Sequence, residues 1–124
     1  MKIIIAGSRD FNEYEVLKDF SDYILQNLSD IEIVSGGARG ADLLGEKYAK
    51  EKGFLLKIFP ADWDKYGKKA GYLRNKEMAG YADGLIAFWD GKSKGTKMMI
   101  ELAKKMKLKV AVHIYKNKIN EKGT

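Results

Sequence analysis

The chain has 124 residues, 45% hydrophobic and 32% charged, which fits one domain around one core and leaves too little chain for two. It contains no cysteine and a single histidine, which excludes disulfides, thiolate chemistry and a metal centre built on cysteine or clustered histidine. The net charge of +6 favours anionic partners, and the lack of any apolar run near ~20 residues predicts a cytoplasmic protein without a membrane span.

Residues 2–6 form a β-branched apolar run that stops at Gly7, predicting a buried first strand. Asn12 and Glu15 have the spacing of a capping box, and Val16, Leu17, Phe20, Tyr23, Ile24 and Leu28 recur at the helical period. Residues 31–34 predict the second strand. The segment SGGARGAD follows it directly and opens a helix marked by Leu43, Leu44, Tyr48 and Ala49, which Gly53 closes.

Residues 54–59 predict the third strand, ended by Pro60, the only proline. A polar connection leads to a helix over 70–82, and residues 85–89 predict the fourth strand. After the loop DGKSKG, Met98, Met99, Leu102, Ala103 and Met106 mark the core face of a last helix, and residues 110–115 predict the fifth strand. Trp89 and His113 read as packing residues of their strands. Residues 117–124 read as a flexible basic tail, so the folded domain is 1–116.

Strands alternating with helices along the whole chain predict an α/β fold: a Rossmann-like three-layer domain with a parallel five-stranded sheet and helices on both faces. Ligands of such sheets sit beyond the carboxyl ends of the strands, where helix N-termini offer N–H groups and partial positive charge. Three segments fall there: Gly7, Ser8 and Arg9 after strand one; Ser35, Gly36, Gly37, Arg39 and Gly40 after strand two; Gly91, Lys94, Gly95 and Thr96 after strand four. Glycine suits phosphate contact because a side chain would hold the phosphate off the backbone amides. Each loop alone could be a plain tight turn, but three on one sheet edge favour a ligand site.

SGGARG has serine where the dinucleotide fingerprint needs its first glycine, and GKS after strand four lacks the earlier glycine of a Walker loop. Neither a standard NAD site nor an ATPase site is expected, and no cofactor or metal is assigned. The only arginines, Arg9, Arg39 and Arg74, lie in or beside the ligand edge, and their planar forks suit phosphate. Asp62, Trp63 and Tyr66 could line the pocket, the aromatic faces for a base and the carboxylate for ribose hydroxyls; a purely structural role is equally open.

Taken together, GSRDF, SGGARGAD, FPADWDKYGKKAG, YLRN and the DG…KGT segment resemble the YspA-type (DUF2493-like) branch of the SLOG superfamily, over nearly the whole chain up to the tail. That superfamily includes the LOG phosphoribohydrolases, which are Rossmann-like homodimers, and domains that sense ADP-ribose-derived signals; DprA-like Rossmann domains are more distantly similar. The resemblance implies ligand-binding roles for Gly36, Gly37, Arg39 and Gly40, for Arg74, and for Gly95 with Thr96; Asn75 beside Arg74 is a further ligand-binding candidate. It also implies a homodimer or higher homo-oligomer.

The phosphoribohydrolase pattern PGGxGTxxE places its catalytic glutamate where this chain has Met99. Glu101 lies about 200° further around a helix, which leaves Glu101 and Arg74 as weak catalytic candidates; Asp42, Asp62 and Glu77 are the other acids. The expected function is therefore binding of a phosphate-bearing nucleotide or ADP-ribose-like metabolite, for sensing or sequestration. Nucleoside monophosphate hydrolysis at the N-glycosidic bond is the first alternative, and single-stranded nucleic-acid binding the second.

Overall fold

The computed structural model describes residues 1–116; the tail predicted for 117–124 lies outside them. The elements are β1 (Lys2–Gly7), α1 (Tyr14–Leu25), β2 (Glu32–Ser35), α2 (Ala41–Lys52), β3 (Leu55–Ile58), α3 (Trp63–Tyr66), α4 (Ala70–Tyr81), β4 (Gly84–Trp89), α5 (Lys94–Lys105) and β5 (Lys109–Ile114), with a 3-10 turn (Gly67–Lys69) joining α3 to α4. All strand pairs are parallel, in the order β3-β2-β1-β4-β5. The chain builds outward from β1 on one side and then crosses back to build outward on the other. The order therefore reverses between β1 and β4, where strand ends diverge and leave a crevice.

Alternate residues of the central strands feed two separate cores, as strands covered on both faces require. Ile3, Ile5, Ile33, Ile86 and Phe88 pack with Leu17 and Leu25 of α1 and Tyr48 and Ala49 of α2. Ile4, Ala6, Val34, Leu85 and Ala87 pack with Met78 and Ala79 of α4 and Met99, Ile100 and Ala103 of α5. The three-layer α/β domain with a parallel five-stranded sheet is thus present.

Several local expectations are corrected. Helix α1 begins at Tyr14 with no side-chain cap bond, so Asn12 and Glu15 do not form a capping box; instead the carbonyl of Glu13 accepts the Leu17 N–H at 3.1 Å. Tyr23 of α1 is exposed and Leu43 of α2 half-exposed, because the buried stripes run through Leu17, Ser21 and Leu25 and through Ala41, Gly45, Tyr48 and Ala49. Small residues sit there because the sheet is close: a Cβ on Gly45 would fall 2.8 Å from Cγ2 of Ile5. The third strand is an edge strand with Leu55 69% exposed. Met106, expected in the core, follows the end of α5 and is exposed. The polar connection after Pro60 contains α3 and the 3-10 turn, started by Asp62, whose side chain accepts the Lys65 N–H at 3.1 Å.

Candidate functional site

The reversal point holds a cavity of about 630 Å³. Its floor is the end of β1 and the start of the following loop, Ala6 to Arg9, and its walls come from α4, α5, α3 and the first turn of α2. Ser8 joins these parts. Its N–H donates to the Phe88 carbonyl of β4 at 3.0 Å, its carbonyl accepts the Ala41 N–H at the start of α2 at 3.4 Å, and its hydroxyl accepts the Asp90 N–H at 3.4 Å. Two glycines make the approach possible. A Cβ on Gly7 would fall 2.2 Å from the Phe88 carbonyl oxygen, and one on Gly40, which has φ +81°, would fall 2.4 Å from that of Ser8.

The loop after β2 is held from behind. Ser35 is buried, donates its hydroxyl to Glu46 Oε2 at 2.7 Å and accepts the Gly37 N–H at 3.1 Å. Arg74 reaches across from α4, donating through Nη1 to the Gly36 carbonyl and through Nε to Asn75 Oδ1 at 2.9 Å. A Cβ on Gly36 would lie 2.7 Å from Arg74 Nη1 and 2.8 Å from Asp42 Oδ2, so only glycine lets the guanidinium and the carboxylate close in on this turn.

Asp42, in the first turn of α2, is 5% exposed and lines the cavity. Burial pushes its carboxyl up to about 6, against the opposing pull of the Ala38 amide (3.3 Å from Oδ2), the Arg74 charge and the Gly7 amide. Burial lowers Arg74; the Asp42 charge opposes that shift and the nearby Arg9 charge adds to it. Arg9 and Arg74 both line the cavity, and neither forms a salt bridge among the described residues. Asp90 is also in the wall. Burial pushes its carboxyl up, but bonds from the Ser93 and Lys92 amides at 2.8 and 2.9 Å prevail and hold it below the usual range. Those bonds fold the DGKS loop back so that α5 starts at Lys94 with Ser93 as an N-cap that makes no side-chain cap bond.

Of the residues predicted from sequence, Gly7, Ser8, Arg9, Trp63, Arg74, Asn75, Gly95 and Thr96 line the cavity. Ser35, Gly36, Gly37 and Gly40 shape it from behind, and Arg39, Asp62, Gly91 and Lys94 lie outside its lining. Arg39 is exposed, so the three arginines do not form one constellation. Asp90, Lys68 and Tyr72 are not singled out by sequence, Ser93 only as part of the GKS segment, and Asp42 only as one acid among several; a carboxylate in a cavity wall reads in sequence like any helix-start acid. Met99 is 1% exposed and lines the cavity, a thioether without proton chemistry, while Glu101 is exposed and outside it. No group of three or more metal-ligating side chains occurs among the described residues.

The model of the YspA, cpYpsA-related SLOG family (YAcAr) matches residues 1–66, more than half of the chain. The chain belongs to this SLOG family. It is also 38% identical to the Gene 61 protein of Mycobacterium phage D29 over 112 residues, covering 84% of this chain and 89% of the phage protein. Among solved structures, this SLOG domain matches DNA processing protein A (DprA) of Streptococcus pneumoniae with a TM-score of 0.70 and 20% identity, over 90% of this chain. It spans about half of the DprA chain, 49%; at that identity the likeness is one of fold.

Proposed function

We propose that the cavity binds a phosphate-bearing nucleotide or a related ribose phosphate. The observation that carries this reading is the placement of Arg9 and Arg74 in one cavity with no salt bridge to either among the described residues, close enough for Arg9 to depress Arg74. A phosphate between them relieves that repulsion and suits the guanidinium fork. Gly95 supports it. This helical residue has no positive φ to accommodate, and a Cβ there would meet no atom of the described residues within 4 Å, so the space beside the first turn of α5 is open to a ligand. Such a helix start favours an anion. Trp63 and Tyr72 in the same lining offer flat faces for a base.

The test is calorimetric titration with the four ribonucleoside 5′-monophosphates and with ADP-ribose, using mass spectrometry to identify any small molecule that co-purifies. Arg9→Ala removes an exposed side chain and is expected to weaken binding at least about tenfold, or about 1.4 kcal/mol, with no change in Tm. Arg39→Ala is expected to leave affinity unchanged. Unaltered binding in both Arg9→Ala and Arg74→Ala would refute the site.

A second reading is single-stranded nucleic acid, favoured by the rim. Trp63, Tyr66 and Tyr72 are exposed and interleaved with Lys65, Lys68 and Lys69, the mixture of stacking faces and cations that suits a strand. The fold shared with DprA, a DNA processing protein by name, adds to it. Hydrolysis of the N-glycosidic bond has less support, since Met99 supplies no carboxylate and Glu101 is outside the cavity.

A further inference from the structure

Among the described residues, the charges of the cavity wall balance. Arg9, Lys68 and Arg74 are matched by Asp10, Asp42 and Asp90, so a run of phosphates gains no net attraction there. A ligand with one compact anionic end and an uncharged, hydroxyl-rich remainder is the better match. Of the three carboxylates, Asp90 closes its own loop through the Lys92 and Ser93 amides, and Asp10 accepts the Tyr115 hydroxyl at 2.5 Å. Asp42 is the buried one.

Resting on the nucleotide reading above, we propose that Asp42 is the specificity-determining residue of this cavity: its carboxylate accepts the ribose hydroxyls of the ligand while Arg74 and Arg9 hold the phosphate. The carboxylate accepts the Ala38 amide at 3.3 Å, with the Gly7 amide at the end of β1 pulling on it from the other side, and forms no salt bridge among the described residues. An ionised carboxylate has about four acceptor positions, so two amides leave capacity for two hydroxyls. Burial has taken water from this group, and a sugar hydroxyl restores the lost hydrogen bonds, whereas a sugar lacking hydroxyls seals the charge in unsatisfied. Gly36 contributes by leaving room for acid and guanidinium on either side of one turn, which sets the hydroxyl and phosphate contacts side by side.

The experiment compares the four ribonucleoside 5′-monophosphates with their 2′,3′-dideoxy counterparts on the intact chain, by calorimetry, in wild type and in Asp42→Asn. The wild type is expected to bind the dideoxy forms at least about tenfold more weakly, and Asp42→Asn to bring the two sets within about twofold of each other. Equal affinity for both sets in the wild type would overturn the proposal and leave the nucleotide reading standing. Discrimination that persists in a folded Asp42→Asn would overturn the assignment to Asp42. Absence of binding by every nucleotide would overturn the nucleotide reading and this proposal with it. The wild-type comparison decides even where the variant does not fold.

Discussion

A single buried carboxylate sets the acid–base behaviour of the site. Asp42 has a folded pKa of about 6 against the ordinary 3.8, so the folded chain binds its proton more tightly than the unfolded chain. Stability from this group is therefore greatest below about pH 4 and falls as pH rises to about 6, a change of about 3 kcal/mol in all. Asp42→Asn carries no titrating group, so the difference in unfolding free energy between wild type and variant should move by about 2.4 kcal/mol between pH ~4 and pH ~7. Urea melts at the two pH values measure it; an unchanged difference would show that Asp42 does not titrate in this window. Arg74 illustrates the same dependence on surroundings. In sequence it is one of three arginines at the ligand edge, and in the fold it holds the Gly36 carbonyl and Asn75 while Arg39 is exposed.

At the scale of elements, the first turn of α5 separates stability from binding. Gly95 lies within the helix, and a Cβ there meets no atom of the described residues within 4 Å. Gly95→Ala should raise stability by up to roughly 1 kcal/mol through helix propensity and loss of unfolded-state freedom. The added methyl stands in the open space beside the helix start, so nucleotide affinity should fall at the same time. Thermal melts with and without nucleotide check both halves; a variant that gains stability and binds as before would place the ligand elsewhere. Elements were largely legible in the sequence because each strand is a compact apolar run bounded by turn residues, as at Ile3, Ile4 and Ile5 before Gly7. Helix faces were less so: on α2, Ala41, Gly45 and Ala49 carry the contact with the sheet, and small residues give a weak periodic signal while Leu43 gives a strong one on the wrong face.

For the whole molecule, the net charge of +6 and the balanced charge of the cavity make different predictions about salt. A nucleoside monophosphate held in the cavity should lose less than about fivefold in affinity between 50 and 200 mM salt, since few counterions are released, whereas a single strand held along the rim by Lys65, Lys68 and Lys69 would lose about twentyfold. Titrations of both ligands at the two salt concentrations check this. A steep dependence together with competition between strand and nucleotide would favour the rim reading. No helix among the described residues is long and apolar enough to cross a membrane.

The sequence alone determined the fold class, because strand and helix periodicities alternate from residue 2 onward, and right-handed crossovers leave little choice of topology. It also determined which edge of the sheet carries the loops, since glycines at the strand ends permit the close approaches seen at Gly7, Gly36 and Gly40. Only the tertiary structure decided which charges share a cavity. Asp42, Asp90 and Arg74 come from α2, the loop after β4 and α4, and their burial and mutual field arise from packing three elements around the point where strand order reverses. A linear pattern records the residues that make such a point possible but not the solvent they lose there.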